Sequence, residues 1–186
     1  MSHVPDSLRD DIIELLPNLR AFAMSLSGNP AKADDLVQDT ILKAWSNIDK
    51  FRQGTNLRAW LFTILRNQFY SDLRKRKREV EDVDDALAGR MAVQPNQESS
   101  VDLQDFRQAF EKLKPEQREA LILVGASGFA YEEAAEICGC AVGTVKSRVN
   151  RARRHLIELL ELDPATDLAS GGVMAAAIDA VSPTGG

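Results

Sequence analysis

Seven side chains between positions 144 and 154 are of the types that hold nucleic acid: Thr144, Lys146, Ser147, Arg148, Asn150, Arg151 and Arg154. Arginine and lysine suit phosphate oxygens and guanine edges, and Ser, Thr and Asn bond either backbone or bases. A second group lies earlier: Arg58, Arg66, Asn67, Tyr70 and Arg74, running into Lys75, Arg76, Lys77 and Arg78. Cations, an amide and an aromatic ring interleaved on one helix face form a surface for bases that have left the stack. Both sets recognise; neither makes bonds. No nucleophile–base pair, metal-ligand set or phosphate loop stands in the chain, so no enzyme, metal or cofactor is expected.

Net charge is −5, yet it is unevenly spread. Residues 66–78 hold six cations against Asp72, and residues 143–157 hold five and no acid. Residues 79–105 hold eight acids against Arg90. Two basic patches parted by an acidic stretch read as two docking modules with a spacer.

The late set needs a helix-turn-helix to position it. Tyr131, Ala134, Ala135 and Cys138 recur at helical spacing, then Gly139-Cys140-Ala141 breaks the pattern. Val142, Val145, Val149, Ala152 and Leu156 resume it as an apolar seam, opposite the donor face. Ala135 allows close approach of the two helices, and Gly139 allows a left-handed turn. The second helix is a recognition helix. Cys138 and Cys140 are too close for an ordinary disulfide and are read as small packing residues.

Upstream, helical spacing runs from Leu8 to Leu26, with Pro17 predicting a break or kink. A second helix is expected over 31–48, buried through Ala33, Leu36, Val37, Ile41, Ala44, Trp45 and Ile48. Its other face carries Asp35, Gln38, Asp39 and an exposed Leu42. Asn56 is placed to cap a third helix whose stripe is Leu57, Trp60, Leu61, Ile64, Leu65, Phe69 and Leu73. Residues 79–100 lose periodicity and read as a flexible acidic linker. Helix returns at 101–112, and Pro115 opens another that runs to Gly128. The fold class is all-α: a unit over 1–78, the linker over 79–100, a unit over 101–162 and a tail over 163–186 expected to be disordered, with at most a short helix at 173–181. No stretch approaches a membrane span and the N-terminus lacks a basic apolar signal, so a cytoplasmic protein is expected.

In this order the pieces resemble the extracytoplasmic-function sigma factors, the two-domain specificity subunits of bacterial RNA polymerase. ADDLVQDTILKAW (33–45) looks like the helix that docks on the polymerase clamp. FRQGTNLRAWLFTILRN (51–67) looks like the segment that melts and reads the downstream promoter element. LKPEQREALILV (113–124) with YEEAAEICGCAVGTVKSRVNRAR (131–153) looks like the upstream-element reader. The wording is similar to the subgroup that governs the general stress response in alphaproteobacteria. Its members are held by a small helical anti-sigma factor of the NepR type, which a response regulator with a sigma-like domain draws away. The resemblance implies that Asp35, Gln38, Asp39 and Leu42 meet the core polymerase clamp. It implies that Gln53, Gly54, Thr55, Asn56 and Asn67 form a pocket for a flipped base, with Arg66 beside it and Arg74 to Arg78 on phosphates. Ala141 departs from the family, where many members have proline. Two alternatives stay open: a sigma-like decoy that captures an anti-sigma factor without touching DNA, and a dimeric helix-turn-helix regulator.

Overall fold

The computed structural model describes residues 6–52, 54–81 and 101–162, and all regular structure among them is helical. Asn29 ends the first turn region and starts the next helix: its Oδ1 accepts from the Lys32 amide at 3.0 Å, and Pro30 takes the first helical position. Helix α1 (Asp6–Ser27) buries Leu8, Ile12, Leu19, Phe22, Ala23 and Leu26. Pro17 lies inside α1, and the helix runs through it, contrary to the break predicted there. Pro17 sits on the exposed side beside Ile13, which is 51% exposed, so water can serve the carbonyl whose partner proline removes.

Helix α2 (Pro30–Ser46) buries Ala33, Leu36 and Ala44, and also Thr40, whose hydroxyl donates to the Leu36 carbonyl at 2.7 Å. Returning its own hydroxyl to the preceding turn makes Thr40 cheap to bury. A 3-10 turn, Ile48–Lys50, follows where a plain loop was expected. Helix α3 (Leu57–Glu81) opens as predicted on Asn56, whose Oδ1 accepts from the Ala59 amide at 3.0 Å. It runs past the boundary at 78; residues 82–100 and the tail from 163 lie outside the described residues, as do the expectations made for them.

In the C-terminal unit α4 is Val101–Glu111 and α5 is Pro115–Leu121. The helix expected to continue to Gly128 instead widens into a π-turn, Ile122–Ala126, closed by Ser127 N–H on the Ile122 carbonyl at 2.7 Å. Helix α6 (Tyr131–Cys138) ends on Gly139 at φ 62°, the left-handed conformation that spacing required, and α7 (Val142–Leu159) follows. Val145, Val149, Ala152 and Leu156 are each at most 1% exposed against α5 and α6.

The two units pack on each other. Helix α3 meets α6, and α1 meets α5. Phe22 and Phe62 stack at 4.8 Å between ring centres, and Phe129 of the C-terminal unit meets Phe62 edge-on at 5.0 Å. Phe62 is fully buried although it lies off the predicted stripe, because the other unit covers that side. Leu73, predicted within the stripe, is 37% exposed instead, because it stands on the wall of an open cleft shared with Leu26, Leu36 and Pro115.

Candidate nucleic-acid interface

On α7 the seam takes one side and the donors take the other. Thr144, Lys146, Ser147, Asn150, Arg151 and Arg154 are exposed, while Arg148 is half-buried with its Nη1 3.9 Å from Cys140 Sγ. Lys146 leans toward α6, its ammonium 5.6 Å from the Tyr131 ring centre, which holds it near the N-terminal end of the face. Gly143 completes that end; a Cβ built there meets nothing. The face is cationic and carries no acid, as a helix lying along a groove between phosphates requires.

One buried group behind it is chemically quiet. Burial pushes the Cys138 thiol up to about 12, so it stays protonated and packs as an apolar group. No group of three or more His, Cys, Asp or Glu among the described residues could hold a metal ion.

The downstream set is differently placed. Gln53 lies outside the described residues. Gly54 adopts φ 85°, and exposed Thr55 donates its hydroxyl to the Arg52 carbonyl at 2.7 Å. Asn67 is exposed, as are Arg74, Lys75, Arg76, Lys77 and Arg78 on the last turns of α3. Asn56, Arg58, Arg66 and Tyr70, however, do not face open solvent as one surface. Asn56 Nδ2 donates to Glu133 Oε1 at 2.8 Å, and Arg58 donates to the Ser127 carbonyl while its guanidinium lies 4.3 Å from the Phe129 ring centre. Arg66 Nε donates to Glu119 Oε1 at 2.5 Å, and the Tyr70 hydroxyl donates to Glu119 Oε2 at 3.2 Å. Arg66 also stacks over Tyr70 at 4.7 Å.

Glu119 is the residue that sequence reasoning missed. Its side chain is fully buried, opposite an Arg66 side chain only 18% exposed. Burial pushes its carboxyl up, against the pull of Arg66 and of the Tyr70 hydroxyl. Burial lowers Arg66 as well, but the attraction and hydrogen bond of Glu119 outweigh that and raise it. A lone glutamate in PEQREALILV carries no signal of this; its partner stands on another helix, far back in the chain.

On α2, Asp35, Gln38 and Asp39 are exposed around Leu42, which at 57% is the most exposed large apolar side chain among the described residues. Trp45 and Trp60 pack against the core as expected, with Phe51 against Trp60 at 5.1 Å.

Comparison with known proteins supports one assignment for both units. Residues 12–79 match Sigma-70 region 2, and residues 103–156 match Sigma-70, region 4. The chain is 61% identical to the ECF RNA polymerase sigma factor EcfG of Rhodopseudomonas palustris, over 93% of this chain and 96% of that one. It is 34% identical to the ECF RNA polymerase sigma factor SigC of Mycobacterium tuberculosis, over 72% of this chain and 73% of that one. Among solved structures it is similar to the sigma factor RpoE of Bartonella quintana, solved in complex with the anti-sigma factor NepR. The TM-score there is 0.76 at 58% identity, covering 84% of this chain and 98% of that chain. The likeness runs through the N-terminal unit as well as the helix-turn-helix, which sets the chain apart from ordinary helix-turn-helix regulators: it belongs to the ECF sigma factors of RNA polymerase.

Proposed function

We propose that the chain directs core RNA polymerase to stress-responsive promoters, as a transcription initiation factor working in the cytoplasm and without catalytic activity of its own. The observation that carries this is the α7 face: six exposed donors, Thr144, Lys146, Ser147, Asn150, Arg151 and Arg154, opposite a seam buried to within 1%. The unit over 101–162 reads the upstream element with that face and with Arg148. The unit over 1–78 docks on the polymerase clamp through Asp35, Gln38, Asp39 and Leu42. It takes the downstream element on Gln53, Gly54, Thr55, Asn56, Arg66 and Asn67, with Arg74, Lys75, Arg76, Lys77 and Arg78 on phosphates. Residues 79–100 tether the two. No helix among the described residues is long and apolar enough to cross a membrane.

The relative from Bartonella quintana was solved with NepR, and its likeness to this chain supports a small helical anti-sigma factor as the inhibitor here. A decoy would have no use for an exposed cationic groove-reading face. Run-off transcription with core polymerase tests the reading: the chain should start transcripts at a promoter that core alone ignores. Replacing Asp39 and Leu42 together by Ala should weaken core binding at least ~10-fold, the order expected when a central exposed anchor is truncated. Both side chains point away from the core, so helicity should be unchanged. Transcription from the doubly substituted chain at the parent's level would remove α2 from the clamp contact.

A further inference from the structure

The cations at the start of α7 are tied back to α6 and its turn, and those further along are not. Lys146 holds its ammonium 5.6 Å from the Tyr131 ring centre, and Arg148 holds Nη1 3.9 Å from Cys140 Sγ. Arg151 and Arg154, roughly one and two turns beyond Lys146, are exposed and show no such tie among the described residues. The difference matches two tasks. Holding a phosphate tolerates a mobile side chain, whereas reading a base edge needs a placed one. Tyr131 can do the placing, because it is itself held: it is the first residue of α6, half-buried and packed against the core.

We infer that Tyr131 is a positioning residue for base reading: its ring places the Lys146 ammonium against one base edge of the upstream element. This rests on the sigma-factor reading, which lays α7 in the major groove. A ring suits the task better than a carboxylate. Glu132 stands next to Tyr131 in the chain, yet Lys146 enters no ion pair among the described residues, where the pairs found are Arg20–Asp34 and Arg66–Glu119. A carboxylate would take N–H donors from the ammonium and cancel its charge. The face of a ring attracts the cation through its quadrupole, and the donors on the far side stay available for guanine O6 and N7. The turn before Lys146 leaves room for that base. Gly143 has no side chain, and a Cβ built there meets nothing, so a base edge can come in beside the ammonium. Docking also strengthens the contact, because a cation–π pair shielded from water attracts more than an exposed one. The ring therefore favours the bound complex over the free chain, and favours it most where Lys146 finds its base.

The test binds the full chain, in complex with core RNA polymerase, to a library of duplexes of randomised sequence. Sequencing the bound fraction gives the preference at each base pair. Lys146→Ala should flatten the preference at one base pair. Tyr131→Leu, which keeps apolar bulk and removes the ring, should lower the preference at that same base pair about fivefold. Tyr131→Phe, which keeps the ring, should hold it within about twofold of the parent. In the Lys146→Ala background Tyr131→Leu should change it no further, since a residue that acts through the ammonium has nothing left to place. Thermal melting checks that the variants fold, and Tyr131→Met replaces Tyr131→Leu should the latter fold poorly. The inference is overturned if Lys146→Ala or Tyr131→Leu leaves every preference as it was, or if Tyr131→Leu acts equally with and without Lys146. It is overturned too if Tyr131→Leu weakens binding evenly across sequences, which would put the tyrosine on a phosphate instead. A parent complex that selects no sequence and starts no transcript in the run-off assay would instead strike the sigma-factor reading, so the two failures are distinguishable.

Discussion

Arg154→Ala separates backbone contact from base reading on α7. Arg154 is exposed opposite the seam of Val145, Val149 and Ala152, so its truncation opens no cavity and stability should stay within ~0.5 kcal/mol. It lies about two helical turns beyond Lys146, roughly 12 Å along the axis. A helix that enters the major groove N-terminus first has by then climbed toward the phosphate backbone. One phosphate contact contributes a slope of about −0.9 in log affinity against log salt. Raising salt fourfold should therefore shrink the ratio of parent to variant affinity by about 3.5-fold, whatever the duplex sequence. Ser147→Ala should do the reverse, leaving the slope alone and costing roughly 1–3 kcal/mol of discrimination at one base pair. Fluorescence anisotropy on matched and mismatched upstream elements, across a salt series, reads both quantities. The orientation is refuted if Arg154→Ala changes base preference while the affinity ratio holds constant with salt.

Gly143→Ala should raise the stability of the C-terminal unit by about 0.5–1 kcal/mol, because a Cβ there meets nothing and alanine suits a helix better. If the backbone of that turn closes on DNA, the same substitution should lower upstream-element affinity, so thermal melting and anisotropy should move in opposite directions. Cys138, buried with its thiol pushed up to about 12, should resist iodoacetamide in the folded chain from pH 7 to ~9, the range in which an ordinary thiol ionises. Half-exposed Cys140 should label first, and mass spectrometry of a partial digest distinguishes them.

What the chain disclosed unaided was whatever a single helix carries on its own faces. The α7 seam, the left-handed Gly139, the Asn56 cap and the exposed Leu42 all follow from spacing within one element, and each is found in place. Periodicity tells which side of a helix is buried, not what buries it, and a second buried side defeats it. Phe62 looked off-stripe because α3 is covered twice, by α1 and by the C-terminal unit. For the same reason Arg66 and Tyr70 looked outward and are covered, and Glu119 looked ordinary and is fully buried. Pro17 predicted a break or kink, and the helix is not broken there: proline removes one hydrogen bond, and on an exposed turn water takes that bond's place.

Glu119 and Arg66 stand on halves of the chain that are otherwise easy to regard as interchangeable parts. Splicing another member's N-terminal half onto this C-terminal half, with no cation at position 66, would leave Glu119 facing an apolar wall. A carboxylate meets that wall only at a cost of several kcal/mol, so the halves would decline to meet. Such a hybrid would have lost its contact between the units, and any property measured on it would mix that loss with what the grafted half brings. A fair exchange of halves has to carry both members of the pair.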